Sequence, residues 1–208
     1  MTGILLVRHG LCDPIGTVIA GRGAGVHLNA TGTRQVRKLA QSLEHLPIVA
    51  IYSSPLERAR ETAAPLAERL GLQVGISRAL EELDFGTWTG RTIASLADDP
   101  VWQRFNTERG ATRIPGGETM GEVVARAAQG VARMAADHPS GLVVAVSHGD
   151  VIRALLAHYS GLSLDHMLRL EVSPASVSAV RLDSEPRLLM VNWSADGLDA
   201  IGASRTSR

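Results

Sequence analysis

Runs of consecutive apolar residues alternate along this chain with stretches in which apolar positions recur every three or four residues. The first pattern reads as strands buried on both faces, the second as helices with one buried face. Ile4-Leu5-Leu6-Val7, Val49-Ala50-Ile51-Tyr52 and Leu142-Val143-Val144-Ala145-Val146 predict buried strands, and Leu72 to Ile76 a short one. A helix is predicted from about Thr31 to His45, with Val36, Leu39, Ala40, Leu43 and Leu46 on one face. Further helices are predicted from the Ser53-Ser54-Pro55 start signal to Leu70, where Gly71 stops the element, from Thr119 to about His138, and from Asp150 to Tyr159. Met167 to Val172, Ser176 to Leu182 and Leu188 to Trp193 read as three more strands. Strand, loop and helix repeated in this way predict an α/β three-layer sandwich, helices covering both faces of a mostly parallel sheet.

Between Glu81 and Met120 the periodicity loosens, and Gly86, Gly90, Pro100, Gly110, Pro115, Gly116 and Gly117 break the segment into short pieces. We expect residues 1–208 to form a single domain, with about 83–120 as a small cap-like insertion and about 195–208 as a flexible polar tail. Composition agrees with a packed domain: 45% of the residues are hydrophobic and 20% charged. The formal net charge is +0, so no global field draws the chain to nucleic acid or to anionic lipid, and any anion must be held locally. Cys12 is the only cysteine, which excludes an internal disulfide framework and fits a reducing compartment. The first apolar run is too short for a signal segment and none later approaches a membrane span, so the expected location is cytoplasmic. Lys38 is the sole lysine, so an arginine in this chain carries meaning only in a constrained context.

In a mostly parallel sheet, ligands sit beyond the carboxyl ends of the strands. Arg8-His9-Gly10 closes the first strand, Ser54-Pro55-Leu56-Glu57-Arg58 follows the second, and Ser147-His148-Gly149 closes the most apolar one. Two histidines and two arginines, beside helix N-termini and glycine-exposed amides, suit a phosphate dianion: guanidinium forks and backbone donors both match its oxygens. Taken singly, a histidine at a strand end is more often a structural side chain, and Arg58 a surface one. Their joint occurrence changes the weighing.

These residues sit in motifs that resemble the histidine phosphatase superfamily, whose fold is called phosphoglycerate mutase-like, in its phosphatase and phosphomutase branch. Leu6-Val7-Arg8-His9-Gly10 resembles the family signature, and Ser53 to Ala63 its second block. Leu83 to Gly90, Pro115-Gly116-Gly117-Glu118 and Val146-Ser147-His148-Gly149 complete the series in order, over roughly residues 4 to 183. The resemblance implies His9 as the nucleophile, Arg8, Arg58 and a protonated His148 as the phosphate pocket, and an acidic proton donor. The family spacing puts that donor at Glu82, with Glu81 and Asp84 as alternatives. Gly149 and Arg22, the latter in Gly21-Arg22-Gly23, are expected to add substrate contacts. Cys12 stands where many relatives have Thr or Ser. The implied activity is a metal-independent phosphomonoester hydrolase working through phosphohistidine on a small phosphorylated metabolite, with no cofactor and no nucleic-acid or membrane partner. The assembly is left open, a homodimer included.

Other classes fare worse on the residues. A cysteine phosphatase needs an arginine six residues beyond the thiol, where Val18 stands. Zinc hydrolysis needs a His-Glu-x-x-His pair or clustered aspartates. Mutase-type phosphoryl transfer is the enzymatic alternative, disfavoured by the short segment between Glu82 and His148. A binder that holds phosphate without turnover is the non-enzymatic one.

Overall fold

The computed structural model describes residues 2–13 and 15–197. Its elements are β1 (Thr2–Arg8), α1 (Ala30–Leu43), β2 (Ile48–Ser53), α2 (Glu57–Leu70), β3 (Val74–Ile76), α3 (Pro100–Thr107), α4 (Met120–Asp137), β4 (Gly141–Ser147), α5 (Gly149–Ser160), β5 (Val177–Leu182) and β6 (Arg187–Trp193). The strands form one mixed sheet in the order β3-β2-β4-β1-β5-β6, in which β3, β2, β4 and β1 are parallel and β5 runs against both its neighbours.

Period-two alternation inside continuously apolar strands builds the three layers. Ile4 and Leu6 of β1, with Val143 and Ala145 of β4, pack against Val123, Ala127 and Val131 of α4 and Ile152 and Leu155 of α5. Leu5 and Val7, with Val144 and Val146, face Val36 and Leu39 of α1 and Leu66 of α2 on the other side. Helix ends follow local chemistry. The Asn29 side chain accepts from Gly32 N at 2.8 Å to start α1, Thr119 and Glu122 form a reciprocal capping box on α4, and Gly71 closes α2 at φ 64°.

The fold is the three-layer sandwich with a cap insertion that the sequence predicts. Within the cap, Gly86–Trp88 and Ala94–Leu96 are single 3-10 turns, and Asp99 caps α3 by accepting from Val101 N at 2.8 Å and Trp102 N at 3.2 Å. Trp88, Leu96, Phe105 and Ile114 are buried in the same cluster as Ile4 and Leu6, so the cap shares the main core. Its two ends are tied together. Glu118 N donates to Asp84 O at 3.0 Å, and Asp84 N donates to Glu118 Oε2 at 3.0 Å.

One expectation fails. Met167 to Val172 is not a strand: Leu164–Arg169 is a 3-10 helix capped by Ser163. The carbonyls a sheet neighbour would use are taken by arginine side chains, Arg153 Nε donating to Leu170 O at 3.0 Å and Arg8 Nη1 to Val172 O at 2.6 Å. The polar tail expected from about 195 lies, from residue 198 on, outside the described residues. No helix among the described residues is long and apolar enough to cross a membrane.

The closure of the cap depends on Gly117, where a Cβ would stand 2.2 Å from Asp84 O, a backbone atom. Gly117→Ala should therefore lower stability by about 1–3 kcal/mol, the usual range for overpacking. Gly121→Ala in α4, whose Cβ would meet nothing closer than Thr119 Oγ1 at 3.8 Å, should be neutral or raise stability by up to about 1 kcal/mol. Urea unfolding midpoints check both, and equal midpoints for the two variants would contradict the closure.

Candidate active site

The parallel register of β1 with β4 sets Arg8 opposite Ser147 at the carboxyl ends of the two strands. His9 and His148, one residue beyond, are side by side with ring centroids 5.2 Å apart. His9 N donates to Ser147 O at 3.0 Å, which carries the pairing past the strand ends. Arg58 enters from the first turn of α2, nearly completely buried at 2% exposure. Thr62, one turn on, donates to Arg58 O at 2.7 Å and accepts from Gly10 N at 3.0 Å. That hydroxyl fixes the loop after β1 to α2.

The His9 tautomer follows from geometry. Nδ1 lies 2.8 Å from Gly10 O, and a carbonyl only accepts, so Nδ1 carries the proton and Nε2 keeps its lone pair. Burial first, then the charges of Arg8 and Arg58, hold the His9 ring well below its ordinary pKa. His148 Nε2 lies 2.8 Å from Ser54 Oγ. Burial, His9 and the same two arginines hold it well below its ordinary value too. The sequence reading expected a protonated His148, and these surroundings act against that charge. In the tautomer whose Nε2 accepts from the Ser54 hydroxyl, Nδ1 carries the hydrogen and is a donor. That atom has no hydrogen-bond partner among the described residues, and neither do Arg8 Nε and Arg58 Nη1, all three being buried. The opposite ends of both guanidiniums are held, Arg8 Nη1 by Val172 O at 2.6 Å and Arg58 Nη2 by Gly21 O at 2.7 Å.

Arg8, His9, Arg58, Glu82 and Gly149 line one cavity of about 270 Å³, with Asp150, Arg153, Phe105 and Arg109 farther round its wall. Gly149 leaves room for the Arg8 guanidinium: a Cβ there would be 3.3 Å from Arg8 Cζ and Nε. Glu82 is pushed up to about 7, by burial first and then by Asp150. Cys12 also lines the cavity, but burial raises its thiol to about 11, so it is no thiolate at neutral pH.

The adjacent carboxylates separate as backbone direction requires. Glu82 lines the cavity, whereas Glu81 lies 4.0 Å from Arg22 Nη1. Arg22 does not join the other predicted site residues. Its Nε donates to Glu82 O at 2.9 Å, and its Nη2 to Glu118 Oε2 at 2.9 Å. It is committed to the framework behind the acid. Arg126 of α4, which sequence reasoning missed, does the larger share. It takes Ala79 O at 3.0 Å, Glu81 O at 2.8 Å and Glu82 O at 3.1 Å while gripping both oxygens of Glu118. Asp150 and Arg153 were also missed; the position of Asp150 directly after His148-Gly149 was the available signal. No three His, Cys, Asp or Glu side chains are grouped as metal ligands among the described residues.

A bifunctional protein of Mycobacterium tuberculosis is 34% identical over 196 residues, 92% of this chain, and the chain spans 54% of that relative's length. Glucosyl-3-phosphoglycerate phosphatase of Mycobacterium tuberculosis is 35% identical over 164 residues, covering 74% of this chain and 73% of its own. The native structure of the mycobacterial enzyme of that name matches with a TM-score of 0.82 at 31% identity, covering 92% of this chain and 99% of that one. Phosphoserine phosphatase 1 of Hydrogenobacter thermophilus is 29% identical over 199 residues, 91% of each chain. The family model for branch 1 of the histidine phosphatase superfamily matches residues 4–194, and the chain belongs to that superfamily.

Proposed function

We propose that the protein is a phosphomonoesterase that works through a phosphohistidine on His9, without a metal, on a small phosphorylated metabolite in the cytoplasm. The observation that carries this reading is the trio of buried nitrogens with no hydrogen-bond partner among the described residues, Arg8 Nε, Arg58 Nη1 and His148 Nδ1, beside a histidine whose Nδ1 is held by Gly10 O, which leaves Nε2 to attack. Desolvated donors of this kind are costly unless an anion meets them, and a phosphate offers three equatorial oxygens. The cytoplasmic placement rests on the single buried thiol, Cys12.

In the first step His9 Nε2 forms a bond to phosphorus as the bond to the leaving oxygen breaks, and Glu82 gives that oxygen its proton. Arg8, Arg58, His148 Nδ1–H and the amide end of α5 at Gly149 offset charge on the equatorial oxygens. In the second step a water attacks phosphorus and Glu82, now a carboxylate, takes the water's proton. Phosphate leaves and His9 is restored. Arg22 is assigned to holding the Glu82 backbone, not to the substrate. Hydrolysis is preferred to mutase transfer because the relatives at hand include two phosphatases by name.

Quenched turnover with labelled ester should give an acid-labile, alkali-stable phosphoprotein, absent in His9→Ala. Label on a serine or aspartate, or a fully active His9→Ala, would end the proposal. With 3-phosphoglycerate and a trace of its 2,3-bisphosphate, free phosphate should appear faster than the 2-phospho isomer; the reverse ratio selects the mutase. Release of phosphate from no ester at all would leave only a binder.

The acid can be tested by pH as well as by substitution. A carboxyl raised to about 7 keeps its proton up to that pH and loses it above, while burial and the charges of Arg8 and Arg58 hold the His9 ring well below its ordinary pKa. The burst of His9 phosphorylation by an alkyl phosphate should therefore decline above about pH 7. Glu82→Gln should slow that burst by about 10²–10⁴-fold and abolish the decline, yet slow the burst from p-nitrophenyl phosphate far less, because a nitrophenolate departs without a proton. Equal losses for the two substrates would move the role to Glu81 or Asp84.

A further inference from the structure

We propose that Asn192, on the edge strand β6, is a positioning residue for the phosphoryl site: through the corner at Ser173 it holds in place the carbonyl that aims the Arg8 guanidinium. The inference rests on the reading of Arg8 as a phosphate contact. Asn192 itself does not line the cavity.

The segment between the Leu164–Arg169 3-10 helix and β5 touches the site four times. Leu170 O accepts from Arg153 Nε at 3.0 Å, and Val172 O accepts from Arg8 Nη1 at 2.6 Å. Ser176 O accepts from Arg8 N at 3.1 Å, and Ala175 N donates to His9 O at 3.1 Å. Arg153 acts against the charge of Arg8, with Glu82, Asp150 and Glu171 acting for it. Two guanidiniums that repel each other keep a fixed geometry only if each has its own anchor, and the carbonyls of Leu170 and Val172 are those anchors. With Nη1 held at Val172 O and no Cβ on Gly149 to crowd it, Arg8 keeps Nε buried and without a hydrogen-bond partner among the described residues, the end left for a ligand.

Residues 170–176 belong to no helix or strand, and β6 supplies what holds them. Asn192 Oδ1 accepts from Ser173 N at 2.6 Å, and Asn192 Nδ2 donates to Ser173 Oγ at 3.3 Å. The Asn192 amide is held in turn, donating to Ser178 Oγ at 3.1 Å. Asn192 lies where β6 slips against β5: Trp193 pairs with Val177, but Met190 pairs with Ala179. The extra residue of such a bulge leaves the ladder and re-aims its side chain. Its φ is 55°, and the other non-glycine residue at positive φ among the described residues is Ala175, at 56° in the same corner. Left-handed backbone outside glycine persists where the surroundings impose it, and here both instances converge on the segment that holds Arg8 and His9.

Asn192→Gly separates side chain from backbone, because glycine adopts this φ freely and only the amide group is lost. Affinity for inorganic phosphate, by calorimetry, and the burst of His9 phosphorylation should each fall about 10–100-fold, the effect of a displaced charged contact. Alkyl phosphate and p-nitrophenyl phosphate should lose equally, since Arg8 meets the phosphoryl oxygens and not the leaving group. Asn192→Asp, which keeps an oxygen for Ser173 N, should recover most of the loss. In an Arg8→Met background Asn192→Gly should cost less than about twofold, because the contact it acts through is already gone. If Asn192→Gly does not fold by circular dichroism, Ser178→Ala, which releases the Asn192 amide, must lower phosphate affinity by at least about threefold. No loss, a loss that is the same with and without Arg8, or a loss that Asn192→Asp does not recover overturns the positioning role. An Arg8-dependent loss of phosphate affinity in a protein that hydrolyses no ester keeps the role and overturns the phosphatase. Failure of the unsubstituted protein both to bind phosphate and to turn over any ester overturns both.

Discussion

The parallel pairing of β1 with β4 is the contact on which everything chemical in this molecule depends. Both strands are apolar on both faces, so neither can slip by one residue without exchanging the side chains that face the two helical layers. Register fixed by burial is therefore register fixed for Arg8, His9, Ser147 and His148, which sit where the two strands end. Hydrophobic packing sets the separation of the two imidazoles, and the chemistry inherits it.

The same burial tunes the groups it brings together. Removing water disfavours every charge that is not compensated, so it pushes both imidazoles well below their ordinary pKa and raises Glu82 to about 7. The arginines cannot give up their charge and become the fixed positive end of the site. A nucleophile with a free lone pair, a loaded acid and unneutralised guanidiniums are three results of one cause. The acid sits apart from the strands, on a segment without regular structure, and it is held there by Arg126 and Glu118.

Much of this was legible in the sequence because strand ends are legible. A continuous apolar run that breaks into polar residues and a glycine or proline marks where a buried strand ends, and three such ends carried the histidines and arginines. What was not legible concerns direction. Gly21-Arg22-Gly23 gives no sign that Arg22 turns inward to the Glu82 carbonyl, and among twenty arginines Arg126 and Arg153 look like any others. Leu168, Leu170 and Val172 alternate as a strand would, but a strand also needs a neighbour, and there side chains of Arg8 and Arg153 occupy the carbonyls. Periodicity reports burial and is blind to who satisfies the backbone. The surroundings that act against a charge on His148 were hidden for a related reason: residue type is visible in a sequence, depth is not.

The cap leaves the sheet at Asp84 and returns at Glu118, and those two residues bond to each other through backbone and side chain. Pinning the ends fixes where the insertion begins and ends, while Phe85, Ile93, Trp102, Phe105 and Arg109 within it supply part of the cavity wall. A change in the cap can therefore reshape that wall at a distance from His9, provided that Trp88, Leu96, Phe105 and Ile114 stay packed in the common core.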